Sequence, residues 1–169
     1  WIAATSFKLF GISAFAYKLP NFLFGLLGAW YLYKLAKDIY DEKTGLISAV
    51  IFLSALHIGT STFDVRAEIY ITTFTLASIY HYYKAQNHSF WHIVAGSFFA
   101  ACAILIKGIF VLIPVFAGFI IYWLFTKQYK QLWQPKWWIA IVLIFVFITP
   151  ELYSLYTQFD LHPEKVVFN

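Results

Sequence analysis

The feature that most constrains this chain is a succession of apolar runs, each about as long as a membrane-spanning helix and each followed by a short polar cluster. A helix needs about 20 apolar residues to cross about 30 Å of hydrocarbon. Charged residues make up only 12% of the chain, whereas soluble domains carry roughly 25%. The sequence therefore predicts an all-α fold, a polytopic helix bundle embedded in a lipid bilayer.

The runs predict about six transmembrane helices preceded by an N-terminal interfacial helix. The interfacial segment covers 1–16, and a first span opens near Leu19-Pro20, where proline suits a first helical turn. Further spans are expected over 46–62, 69–83, 90–106, 109–125 and 137–156. One helix over 90–125 would be about 54 Å long, so we predict a break at Lys107-Gly108. We expect residues 1–156 to form the bundle and 157–169 to begin an extracytoplasmic segment.

Charge predicts the orientation, because cations gather in cytoplasmic loops. Alternate connections hold seven cations on one side and five on the other. The seven are Lys34, Lys37, Lys43, Lys84, Lys127, Lys130 and Lys136, and the five are Lys8, Lys18, Arg66, Lys107 and Lys165. We predict that the seven-cation side is cytoplasmic, in a plasma or inner membrane. The scattered lysines explain the net charge of +4 without a nucleic-acid partner.

The chain is expected to be an interior piece of a longer protein. It opens on Trp1 without a charged leader and a cleavage site, and it contains no methionine. Its single cysteine, Cys102, lies in an apolar run, so a disulfide within the chain or a thiolate metal site is not expected.

Residues with the potential for chemistry cluster on the five-cation side. Asp64, Arg66 and Glu68 interrupt two apolar runs, and Lys107 lies in the turn of the predicted hairpin. In one interpretation Asp64 caps a helix, Glu68 complements its dipole and the cations contact lipid headgroups. In the other, Arg66 and Lys107 clamp an anionic headgroup while a carboxylate faces a sugar or a proton. Asp64 and Glu68 share a face if their helix begins at or before Asp64.

The histidines and the tail give weaker signals. His57 is interpreted as a buried core histidine, and His81, His88 and His92 as surface residues. In the tail, Asp160, His162 and Glu164 alternate, and they form either a solvated loop or a candidate patch for a divalent metal or a substrate. Nucleotide-hydrolysis and zinc-protease motifs are absent from the sequence.

Three short motifs together resemble a known family. They are Gly11-Ile12-Ser13-Ala14-Phe15-Ala16-Tyr17-Lys18-Leu19-Pro20, Asp64-Val65-Arg66-Ala67-Glu68 and Leu105-Ile106-Lys107-Gly108. In this order and spacing the chain is similar to polyprenyl-phosphate-dependent glycosyltransferases of the GT-C type. Bacterial protein O-mannosyltransferases and lipid A aminoarabinose transferases belong to this group. Ile106 replaces the threonine that is usual in the family's turn.

The resemblance implies transfer of a sugar from a polyprenyl-phosphate carrier to a protein, lipid or glycan acceptor on the outer face. Lys107 and Arg66 would then bind the donor phosphate, Glu68 would bind substrate, and Asp64 would match an acidic residue of the second external turn. The family's main catalytic carboxylate lies in the first external loop, so the base is expected upstream of Trp1. No cofactor is implied with certainty, and a divalent metal stays open.

Two other classes of function remain. A transporter or lipid flippase would need ionisable groups near mid-membrane or glycine-broken helices, whereas the charges here gather at turns. A non-catalytic membrane scaffold would leave Lys107 and Arg66 freely replaceable.

Overall fold

The computed structural model describes residues 2–86 and 90–159, apart from the side chains of 62, 63 and 159, and every regular element in these ranges is helical. The α-helices are α1 (Ile2–Phe10), α2 (Ala14–Ile39), α3 (Glu42–Ser54), α4 (Leu56–Phe63), α5 (Ala67–Ala85), α6 (Trp91–Lys107), α7 (Leu112–Phe125), α8 (Tyr129–Leu132) and α9 (Pro135–Phe159). A 3₁₀ turn, Ile109–Val111, precedes α7. The predicted all-α class is confirmed for this part of the chain.

One helical stretch among the described residues, Tyr129–Gln158, is long and apolar enough to cross a membrane by itself. Trp91–Lys107 and Ile109–Phe125 are apolar but shorter. The six-span arrangement therefore stays a prediction.

Helix α2 begins earlier than the sequence suggested, so Pro20 lies inside it and not in its first turn. The hydroxyl of Ser13 caps the helix by accepting a hydrogen bond from the Ala16 N–H at 3.1 Å. Proline has no N–H, which deprives the carbonyl four residues earlier of its donor. That carbonyl belongs to Ala16, and the buried Ser6 hydroxyl of α1 donates to it at 2.5 Å. Ser6 thus fixes α1 to α2 at the position where Pro20 opens the helix.

The single helix predicted over 46–62 is wrong. The backbone leaves the helical conformation at Ala55, with ψ of 125°, and separates α3 from α4. The Ser54 hydroxyl donates to the Ile51 carbonyl at 3.1 Å, and such local side-chain bonds compete with the helical ladder. At its other end α3 begins as capping rules predict, because the Asp41 carboxylate accepts the Thr44 N–H at 2.8 Å.

Helices α2 and α5 pack closely at Gly28. A Cβ on this glycine would lie 2.8 Å from Thr73 Oγ1, and the buried Thr73 hydroxyl donates to the Phe24 carbonyl of α2 at 2.8 Å. Small residues and hydroxyls of this kind mark helix interfaces within membranes. The interpretation of α5 as a helix surrounded by helices is confirmed at Thr73 and Ser78, which are fully buried.

Hydroxyl groups also join α5, α6 and α9. The Tyr82 hydroxyl lies 3.1 Å from Ser97 Oγ, which donates to the Ala140 carbonyl at 3.1 Å. The Ser78 hydroxyl donates to the Gly96 carbonyl at 3.0 Å. These buried hydrogen bonds fix the axial positions of three helices with respect to one another.

The connections lie at two ends of the bundle. The α4–α5 and α6–α7 turns lie at one end, named here the Lys107 end. The opposite Lys136 end holds the connection between α2 and α3, where Lys37 pairs with Glu42 at 3.1 Å. It also holds Lys136, whose Nζ donates to the Ala85 and Gln86 carbonyls at 3.2 and 3.1 Å. A cation in this position satisfies carbonyls that a helix C-terminus leaves without partners.

Candidate functional site

The predicted helix break at Lys107-Gly108 is confirmed, and it determines where Lys107 lies. Helix α6 ends at Lys107, and Gly108 has φ of 93°, a left-handed conformation that glycine adopts without a steric penalty. The chain then returns through the 3₁₀ turn into α7. Lys107 therefore lies at the exposed tip of the turn, with a side chain that is 62% accessible.

The structure brings Lys107 to Glu68. The Nζ of Lys107 lies 3.6 Å from Glu68 Oε1, which joins the end of α6 to the first turn of α5. Glu68 lies outside the predicted span over 69–83. Its own backbone N–H, followed by the positive charges of Lys107 and Arg66, holds the pKa of the Glu68 carboxyl below its ordinary value against a desolvation effect. Glu68 is thus an ionised carboxylate in a cationic environment.

A second ion pair lies in the α4–α5 turn. Arg66 Nη2 contacts Asp64 Oδ2 at 2.9 Å, and both side chains are more than half exposed. This contact uses one nitrogen of a guanidinium that carries five N–H donors. The turn therefore presents a cation and a carboxylate together at the Lys107 end.

The interpretation of Asp64 as a helix N-cap is wrong, and the condition under which Asp64 and Glu68 would share a face is not met. Asp64 is the C-terminal cap of α4, its N–H bonded to the Thr60 carbonyl at 2.9 Å, and it is not the N-cap of the following helix. Arg66 occupies that N-cap position without a side-chain capping bond. Because α5 begins at Ala67, Asp64 and Glu68 do not share a face of one helix. The two carboxylates are instead held by separate ion pairs, one with each cation.

The residue between Asp64 and Arg66 has an unusual backbone conformation. Val65 has φ of 53°, and positive φ is a genuine outlier for a β-branched residue. Outliers of this kind cost about 1–3 kcal/mol and persist where the surrounding structure holds them. They concentrate at functional sites, which agrees with the position of Val65 between two candidate residues.

Sequence reasoning missed Asn21, which is completely buried beneath this turn. Its Nδ2 donates to the Ser61 carbonyl at 3.1 Å and to the Arg66 carbonyl at 3.4 Å. A lone amide in the apolar run after Pro20 was the available signal. Its partners lie 40 and 45 residues away, however, and periodicity could not identify them.

The histidines are arranged differently from what the sequence suggested. His57 is exposed in α4 and not buried. His81 and His92 are partly buried at the Lys136 end, where their Nδ1 atoms lie 2.9 Å apart and join α5 to α6. His81 also lines an aromatic cavity of about 520 Å³ with Tyr31 and Phe99. His88 lies outside the described residues, as do Asp160, His162 and Glu164.

Among residues 2–86 and 90–159, no three His, Cys, Asp or Glu side chains come close enough to hold a metal ion. The described site thus consists of two cation–carboxylate pairs. Such a site can bind an anion through Arg66 and Lys107, and it can accept a proton or a sugar hydroxyl through a carboxylate.

Comparison with known proteins places the chain in a family. A family model described as dolichyl-phosphate-mannose-protein mannosyltransferase matches residues 1–153. No curated protein and no solved structure is significantly similar to the chain. The match extends over the α4–α5 and α6–α7 turns, and so includes both ion pairs. The chain therefore belongs to the dolichyl-phosphate-mannose-protein mannosyltransferase family, a group of membrane-embedded glycosyltransferases of the GT-C type.

Proposed function

We propose that this chain is part of a transferase that moves a sugar from a polyprenyl-phosphate carrier to an acceptor hydroxyl on the extracytoplasmic face of a plasma or inner membrane. The acceptor is a protein, a lipid or a glycan. The observation that carries the proposal is the ion pair between Lys107 and Glu68 at 3.6 Å. It joins two turns of a membrane protein and lies at the same end as the Asp64–Arg66 pair.

Charge explains why two cations suit this reaction. The bond from the sugar C1 to the phosphate oxygen breaks, and the electron pair leaves with the phosphate, which gains negative charge. Arg66 and Lys107 would stabilise that charge as it develops, Arg66 through a planar fork and Lys107 as a point charge. Their present carboxylate partners hold the two side chains near the positions that an arriving anion would occupy.

The acceptor oxygen forms the new bond to C1 on the opposite face of the sugar, so the configuration inverts. Its proton passes to a carboxylate acting as general base. Asp64 is the candidate for a catalytic carboxylate within this chain, alongside the family's main base, which the resemblance places upstream of Trp1. Glu68 would accept a hydrogen bond from a sugar hydroxyl. The proposal requires no metal, although a divalent ion in the whole protein is compatible with it.

The test uses the whole protein reconstituted in vesicles with a labelled polyprenyl-phosphate sugar. Lys107→Ala is expected to abolish transfer while membrane insertion stays normal. Lys37→Ala is the matched control, because Lys37 also forms an exposed ion pair, but at the Lys136 end. Full activity of Lys107→Ala would overturn the role of Lys107. Substrate accumulation in sealed vesicles without sugar transfer would favour a transporter or flippase, and indifference to both Lys107→Ala and Arg66→Ala would favour a scaffold.

A further inference from the structure

The side chain of Asn21 connects α2 to both sides of the α4–α5 turn. Its Nδ2 bonds the Ser61 carbonyl in the last turns of α4 and the Arg66 carbonyl just before α5. The Ser61 carbonyl also accepts the Arg66 N–H at 3.2 Å. One fully buried amide thus contacts the two residues that bracket Asp64 and Val65.

This connection explains how Val65 keeps its conformation. A β-branched residue at φ of 53° would relax unless the chain were fixed on both sides. Asn21 fixes the chain at Ser61 and at Arg66, and α2 is held in turn by its packing on α5. The direction in which the Asp64 and Arg66 side chains leave the turn therefore depends on Asn21.

Stability alone does not explain an asparagine here. Asn21 Oδ1 and the hydroxyl of the buried Ser61 have no hydrogen-bond partner within the described residues. A buried polar atom without a partner costs about 1–3 kcal/mol. A leucine, with the same number of side-chain heavy atoms, would avoid the cost of the unpaired Oδ1 but would lose the two Nδ2 hydrogen bonds. The amide at this position is therefore explained by the hydrogen bonds that its Nδ2 donates to the two sides of the turn.

We propose that Asn21 is a positioning residue that aims Arg66 at the donor phosphate by holding the backbone of the α4–α5 turn. The inference rests on the proposed function, since it assigns the donor phosphate to Arg66. Asn21 does not touch substrate itself. Its loss would weaken donor binding through the misplacement of Arg66, and the fold would remain.

The experiment compares Asn21→Leu with Thr73→Val in the whole protein. Thr73 is an equally buried α5 residue whose hydroxyl also bonds a carbonyl of α2, but deeper in the bundle and away from the turn. Asn21→Leu is expected to raise the KM for the polyprenyl-phosphate sugar at least about tenfold, as for a group displaced by a fraction of an ångström. Its Tm should fall by no more than that of Thr73→Val, because removal of the unpaired Oδ1 partly offsets the loss of the two Nδ2 hydrogen bonds. Thr73→Val should lower Tm and leave the KM unchanged.

A double-variant cycle separates positioning from a general structural effect. In an Arg66→Ala background, Asn21→Leu should add no further increase in the KM, because the group it positions is already absent. Asn21→Ser provides a second variant if Asn21→Leu fails to fold, because serine keeps a short hydrogen-bond donor. It should raise the KM in the wild-type background but not in the Arg66→Ala background. Equal increases in both backgrounds would overturn the inference.

Binding of a short-chain polyprenyl phosphate in micelles distinguishes a failure of the positioning role of Asn21 from a failure of the proposed function. Tight binding by the wild type together with unchanged binding by Asn21→Leu would refute the positioning role and leave the proposed function intact. Absence of binding by the wild-type protein would instead refute the proposed function. Weakened binding by Asn21→Leu, with Thr73→Val unaffected, is the expected result.

Discussion

Lys107 Nζ lies 3.6 Å from Glu68 Oε1, and this ion pair joins the C-terminus of α6 to the first turn of α5. The side chains are 62% and 40% accessible. Exposed ion pairs contribute little to stability, because solvent screens them and both side chains lose freedom. Loss of this pair should therefore cost little stability, so its proposed role in binding the donor can be tested without unfolding the protein.

We predict that Glu68→Gln lowers sugar transfer while Tm stays nearly unchanged. The substitution removes the charge next to Lys107 but keeps the size of the side chain. Glu42→Gln, which alters the exposed Lys37 pair at the other end, should leave transfer unaffected. Transfer assays and thermal unfolding in detergent measure both quantities, and a large fall in Tm for Glu68→Gln would show the pair to be structural.

Ser6→Ala should destabilise the protein by about 1–3 kcal/mol, because the buried Ala16 carbonyl loses its donor. The loss should shrink in a Pro20→Ala background. An alanine at position 20 restores the N–H that the helix ladder lacks there, so the Ala16 carbonyl regains a partner from its own helix. Unfolding free energies of the four proteins test this, and equal losses in both backgrounds would contradict it.

Gly28→Ala is expected to destabilise the α2–α5 interface by about 1–3 kcal/mol, the usual cost of overpacking. Its Cβ would lie 2.8 Å from Thr73 Oγ1, so one of the two helices must shift. Gly118→Ala in α7 is the control, since a Cβ there meets nothing within 4 Å. Its Tm should stay the same or rise. Comparable losses in the two variants would show that close approach is not what requires glycine at position 28.

The α2–α3 connection should lose stability in acid. The side chain and backbone N–H of Thr44 hold the pKa of Asp41 below 3.8, and hydrogen bonds from Lys37 and Tyr33 hold the pKa of Glu42 below 4.5. A lowered folded-state pKa contributes stability that is complete above the unfolded value and is lost as pH falls through the folded one.

The stability advantage of the wild type over Asp41→Asn/Glu42→Gln should therefore be complete above pH 4.5 and disappear as both carboxyls become protonated below their ordinary pKa values. Thermal unfolding across this pH range provides the measurement. An advantage that persisted in strong acid would show that charge is not its source.

Some features could be predicted from sequence because they depend on neighbouring residues. The break at Lys107-Gly108 was marked by two local signals, a charge in the middle of an overlong apolar run and a glycine that permits a turn. By contrast, the break at Ala55 has neither proline nor glycine to mark it. The helix start at Ala67, two residues before the predicted 69, also had no local signal, because its N-cap Arg66 makes no side-chain capping bond.

The candidate site, too, could be predicted from the sequence only in part. The presence of Asp64, Arg66, Glu68 and Lys107 at one end followed from counting helices. Which cation contacts which carboxylate did not, because it depends on the relative positions of α5 and α6. The role of Asn21 could not be predicted for the same reason, because its hydrogen-bond partners are distant in sequence.

The hydroxyl of Ser97 contacts both Tyr82 and the Ala140 carbonyl. These contacts affect the position of the Lys107 end, although Ser97 does not lie there. About 15 Å of α6 separates Ser97 from Lys107. A slip of α6 by one turn, about 5.4 Å, would break the hydrogen bonds at Ser97 and carry Lys107 away from Glu68. Ser97 thus fixes the axial position of α6 from within the bundle, and with it the height at which Lys107 meets Glu68.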